Sequence, residues 1–145
     1  MDKPDPQSIA HPASAVELVF CGPSVDPGRI TALLEVTPTA SLKKGQTGYY
    51  SWNSQPYVAS SGEWMLSINE YELSQSLEEC LVRWASWLEN HRAAIRELTH
   101  DGYVPYLQIN KNAVEENLSI FIDVALLKKF AEVGVAICVD AGADK

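Results

Sequence analysis

The chain has 145 residues, 46% hydrophobic and 21% charged, which is enough apolar material for one buried core and too little length for two ordinary domains. Its formal net charge is -8, and its lysines and arginines gather no further than the pairs Lys43-Lys44 and Lys128-Lys129. This argues against nucleic-acid binding, which needs clustered cations to meet phosphates. The opening MDKPDPQSIAHPAS breaks any signal-peptide pattern with prolines and aspartates, and no apolar run approaches the ~18 residues of a membrane span, so a cytoplasmic protein is expected.

Residues 1–14 carry three prolines and no hydrophobic period, and a flexible N-terminal tail is expected there, with a single α+β domain over 15–145. Residues 16–20 alternate well enough for a strand. Asp26-Pro27 then supplies an N-cap acceptor and a proline at the first helical position. The helix that follows carries Ile30, Leu33 and Leu34 on one face and must stop near Val36, because Thr37-Pro38 favours extended backbone. A loop with Lys43, Lys44 and Gly45 is expected next.

Residues 48–52 and 63–71 read as strands, the second placing Trp64, Leu66 and Ile68 on one face and Met65, Ser67 and Asn69 on the other. Ser76 and Glu79 match a capping box and open a long helix, whose Leu77, Leu81, Trp84, Leu88, Ile95 and Leu98 recur at steps of about three and four. Gly102 is expected to end it as a left-handed cap. Strands are expected at 103–110 and 118–122. Asp123 can cap a third helix carrying Leu126, Leu127 and Phe130, which Gly134 ends, and residues 135–139, apolar on both faces, are expected inside the sheet.

The resulting order is the ferredoxin-like βαββαβ arrangement extended by a C-terminal βαβ, with a mixed sheet and the helices on one face. The segments DPGRITALLEVTPT, KKGQ and SGEWMLSI, followed by the helix rich in leucine and tryptophan, resemble an uncharacterised bacterial family, the domain of unknown function numbered 4279. The likeness covers about residues 15–140 and rests on framework features. It implies a compact bacterial α+β domain and supplies no catalytic residues. Some small families of this kind are similar to immunity proteins kept beside secreted toxins.

Candidate chemistry is sparse. His11 lies in the tail and His91 and His100 on the long helix, with no accompanying ligand pattern, so no metal site is expected, and His91 reads as a residue at the margin of the core. Cys21-Gly22-Pro23-Ser24 offers nucleophiles without a neighbouring base, and Ser24 reads as a turn residue. The eight glycines form no phosphate-cradling motif, so no cofactor is expected. Glu78-Glu79 and Glu115-Glu116 are sequence neighbours that a helix would splay apart, which suits solvation better than shared acid–base work. The three cysteines, Cys21, Cys80 and Cys138, are odd in number and sit among apolar residues, a pattern of buried reduced thiols.

Two features point to a protein surface. Tyr49, Tyr50, Trp52 and Tyr57 crowd one short segment, and such rings give large contact area at modest entropic cost; the competing reading puts Tyr49 or Trp52 into the core. Glu70, Glu72, Glu78 and Glu79 gather around the start of the long helix, where they could steer a basic partner. The expectation is a non-enzymatic protein-binding domain, an immunity protein that neutralises a cognate toxin. A small-ligand-binding or regulatory domain and a hydrolase with a dispersed site are the alternatives.

Overall fold

Strand β1 (Val16–Cys21) sends Val16, Leu18 and Phe20 to one face and Glu17, Val19 and Cys21 to the other, the alternation that a pleated backbone imposes. It is the centre of an α+β fold seen in a computed structural model that describes residues 16–49, 55–68, 71, 76–110 and 120–140. Around it run β2 (Ala40–Leu42), β5 (Glu63–Leu66), β6 (Val104–Asn110) and β7 (Ala136–Asp140), in the order β2-β5-β1-β6-β7. All neighbours are antiparallel except β6 and β7, so the sheet is mixed. Because β1 and β2 both run against β5, they are parallel to each other with β5 between them, a split βαβ unit closed by α1 (Pro27–Leu34).

Three of the helices start where the sequence provides side-chain acceptors. The Asp26 carboxylate accepts from the Gly28 N–H at 3.0 Å. Ser76 Oγ accepts from the Glu79 N–H at 3.1 Å and opens α2 (Leu77–Asn90). Asp123 Oδ1 accepts from the Leu126 N–H at 2.8 Å and opens α4 (Val124–Val133). Each bond satisfies a donor that the first helical turn leaves free. Helix α4 ends on Gly134 with φ +79°. The pair of bonds Gly134 N–H to Ala131 O and Val135 N–H to Phe130 O forms a Schellman closure.

Their apolar stripes cover one face of the sheet. Val16, Leu18, Phe20, Trp64, Leu66, Leu107 and Ile109 meet Ile30, Leu34, Leu81, Trp84, Leu88, Ile95 and Leu98 in one core. Trp64 is held there by an edge contact with Phe20 at 5.5 Å and by donation from Nε1 to Thr31 Oγ1 at 3.1 Å. This gives the buried indole N–H of Trp64 an acceptor, which Trp84 Nε1 in the same core lacks among the described residues.

Several expectations are corrected. The long helix is two: α2 stops at Asn90 and α3 (Arg92–His100) restarts after His91, whose φ of -114° and ψ of 19° leave the helical range. The apolar stripe survives the break because Ile95 and Leu98 still reach the core. Gly102 follows α3 with φ +93°, and Tyr103 N–H to Leu98 O closes the end. Helix α1 ends at Leu34, two residues early, on Glu35 in the left-handed region at φ 56°.

The loop read after α1 contains β2, and the expected strand at 48–52 is instead β3 (Thr47–Tyr49), paired with β4 (Pro56–Val58) as a separate two-stranded sheet. This hairpin interrupts the expected ferredoxin-like order. Strand β5 stops at Leu66 rather than Tyr71. Residues 120–122 are not strand; residues 118–119 and the expected tail, 1–14, lie outside the described residues.

Among the described residues strand β7 lies at the sheet's edge, not inside it. A strand parallel to β6 must be reached by a crossover, here α4, and it adds at the open side of β6. Cys138 and Val139 are exposed there as a result. Cys21 is exposed too, so of the cysteines expected to be buried only Cys80 is. Leu127 points away from the core on α4.

Candidate functional site

The face of the sheet turned away from the helices carries the polar chemistry. Glu17 is 1% exposed although β1 offers it an apolar setting. Its Oε1 accepts from Asn110 Nδ2 at 3.0 Å and its Oε2 from Ser67 Oγ at 3.2 Å. Asn110 Oδ1 in turn accepts from Gln108 Nε2 at 2.8 Å, and the Ser67 N–H donates to Thr39 Oγ1 at 2.8 Å. The cluster therefore ties together β1, β6 and the segments beside β2 and β5, and it meets the rule that a buried carboxylate needs donors.

At the opposite end of this face lies Glu63, which receives the Tyr57 hydroxyl at 2.9 Å. Burial pushes the Glu63 carboxyl above its usual value, and the Tyr57 bond pulls it partly back. This bond anchors the β3–β4 hairpin to the sheet. Gly48 makes the close approach possible, because a Cβ there would come within 2.6 Å of Leu42 Cδ1 and 2.9 Å of the Tyr57 ring.

With Gly48 and Tyr57 paired on the inner side, alternation sends Thr47, Tyr49, Pro56 and Val58 outward. Val58 is 65% exposed and Tyr49 is half-buried. The hairpin thus presents a small apolar and aromatic face to solvent. Of the aromatic residues singled out by sequence, Tyr49 contributes to that face, Tyr57 is spent on Glu63, and Tyr50 and Trp52 lie outside the described residues. Of the glutamates, Glu78 and Glu79 are exposed in the first turn of α2, whereas Glu70 and Glu72 also lie outside the described residues.

Although Cys21 is exposed, partial desolvation by its neighbours pushes its thiol up, away from the reactive thiolate. His91 donates from Nδ1 to the Trp87 carbonyl at 2.7 Å and stacks on the Trp87 ring at 3.8 Å, the role of a residue at the core margin. Among the described residues no three His, Cys, Asp or Glu side chains converge as metal ligands, and no helix is long and apolar enough to cross a membrane. Sequence reasoning passed over Glu17, Ser67 and Asn110. The one available signal was a lone glutamate inside the apolar run Val16-Glu17-Leu18-Val19-Phe20.

Comparison with known proteins gives one result. The family described as Domain of unknown function (DUF4279) matches residues 11–143. No curated protein and no solved structure matches the chain.

Proposed function

The chain belongs to the DUF4279 family, and we propose that it is a non-enzymatic protein-binding domain that holds a basic partner, as an immunity protein holds a cognate toxin. The observation that carries this reading is the outward face of the hairpin, where Tyr49, Pro56 and the 65%-exposed Val58 stand together. A contiguous exposed apolar patch marks an interaction surface, and tyrosine is among the residue types that most often anchor one. The net charge of -8 and the exposed Glu78 and Glu79 favour a basic partner.

The test uses the product of a neighbouring reading frame and surface-immobilised full-length chain. Tyr49→Ala and Val58→Glu are expected to raise the dissociation rate roughly tenfold or more, as loss of a buried anchor does. Reversing Glu78 and Glu79 to lysine is expected to slow association only, an effect that fades toward ~0.5 M salt as screening shortens the reach of charge. Unchanged rates for all these variants would remove the hairpin from the interface.

A second reading, a small ligand on the open face of the sheet, is supported by the buried Glu17 cluster. Its mark would be a cationic compound that raises the melting temperature of the wild type but not of Glu17→Gln.

A further inference from the structure

Strand β2 is the outermost strand of the five-stranded sheet, bonded to β5 on one side and to no strand on the other among the described residues. Such an edge leaves alternate backbone N–H and C=O groups without partners and is a template for an added strand. Pro38 and Lys43 bracket it, so an incoming chain can pair only along the short stretch between them.

Beside this edge runs a cleft of about 770 Å³ with α1 as its other wall, a size typical of ligand sites. Gly28, Thr31 and Ala32 line one side, and Thr39, Ala40 and Ser41 the other. These side chains are all small, so the backbone of an extended chain could lie close to both walls.

The charge at the cleft is unlike that of the chain. Among the described residues Lys43 is the single charged one in its lining, in a chain of net charge -8. Among the described residues Lys43 forms no ion pair.

The topology places Lys43 at one end of the cleft. Since β1 and β2 are parallel, α1 must run back against them, and Pro27 packs beside Gly62, next to the Leu42–Glu63 pair. The first turn of α1 and Lys43 therefore close the same end of the cleft, the end toward which β2 runs.

We infer that this cleft receives the extended C-terminal tail of a protein partner, whose backbone adds a strand parallel to β2 and whose terminal carboxylate meets Lys43. Parallel addition brings the tail's carboxylate to Lys43; antiparallel addition would leave it at the Pro38 end of β2, away from the cation. Strand addition of this kind takes its affinity from main-chain bonds and its polarity from capture of a chain terminus. The inference rests on the protein-binding reading and names the part of the partner that is gripped.

The probe is a library of random decapeptides in two forms, one with a free C-terminal carboxylate and one amidated, screened with the labelled full-length chain. Free-carboxylate peptides are expected to be enriched, and the best of them to lose affinity at least roughly tenfold on amidation. Lys43→Glu is expected to cause a similar loss. Ala32→Trp, at an exposed position of α1, should block binding by filling the cleft, with circular dichroism verifying that both variants remain folded. Enrichment of no peptide, equal binding of amidated forms, or binding indifferent to Ala32→Trp would each overturn the inference. The protein-binding reading is judged separately, on an intact partner through Tyr49→Ala and Val58→Glu, so either idea can fail alone.

Discussion

Val16, Leu18 and Phe20 point from β1 under the helices and are at most 1% exposed, whereas Glu17, Val19 and Cys21, each one residue away, pass from 1% exposed at Glu17 to solvent-exposed at Cys21. The first face is uniform because apolar burial is non-directional and any helix stripe of suitable width can provide it. The second is graded because its cover is local. Directed hydrogen bonds enclose Glu17 at one end, and at the other a hairpin pinned by Tyr57 and Glu63 covers Leu42 on β2 while Cys21 on β1 stays exposed. A face held by packing tolerates rearrangement; a face held by a few directed bonds depends on each of them.

The largest effect should come from the packed face. Trp64→Ala is expected to cost about 3–5 kcal/mol, through lost burial and a cavity, with loss of the Thr31 bond included. Urea denaturation of Met65→Ala, one residue on and facing the other way, should give a smaller cost of about 2 kcal/mol. Equal costs would mean that the two faces are equally packed.

Glu17→Ala should follow, at about 2–3 kcal/mol, because the Asn110 amide and Ser67 hydroxyl would lose their acceptor inside the protein. Glu17→Gln is expected to fall between that value and wild type, since it keeps the shape but turns an NH₂ toward one of the two donors. A Glu17→Ala variant as stable as wild type would show that water reaches these groups and that the cluster is no determinant of the fold.

A control on neither face is Glu35, which ends α1 in the left-handed region at φ 56°. Glycine adopts that conformation without the Cβ clash, so Glu35→Gly should raise stability by about 0.5–1 kcal/mol. A loss instead would mean that the Glu35 side chain makes a compensating contact.

The smallest effect is a slope with pH at the hairpin end of the open face. Glu63 has its carboxyl raised above 4.5, chiefly by burial, with the Tyr57 bond opposing. As pH rises, the unfolded chain loses this proton first, so the folded state holds the extra proton and stability declines across the interval. The contribution is complete below the unfolded value and gone once pH passes the folded one. Glu63→Gln should remove this decline in urea midpoints measured from about pH 4 to pH 7. Tyr57→Phe, by deleting the bond that lowers the value, should extend the decline to higher pH.

Local features of the fold were legible where a short segment contains its own cause. Asp26-Pro27, Ser76 with Glu79, and Asp123 each start a helix through a side chain within three residues of its target. The stripe from Leu81 to Leu98 repeats with the helical period, so its burial followed from spacing alone. The break at His91 was hidden because the stripe resumes in phase beyond it. The candidate site was hardly legible: Tyr49 and Tyr57 were flagged, yet nothing local says that Tyr57 turns inward to Glu63 while Val58 turns out.

The sequence by itself determined the α+β class, the helix starts and the apolar face, because hydrophobic period and capping act over a few residues. Only the tertiary structure decided which strands stand at the edges, that β3 and β4 leave the main sheet, and that Glu17 finds Asn110 93 residues away. Strand order and polar pairing depend on contacts between distant segments, and the residues that make them carry no sign of their partners until the chain has closed the loops between them.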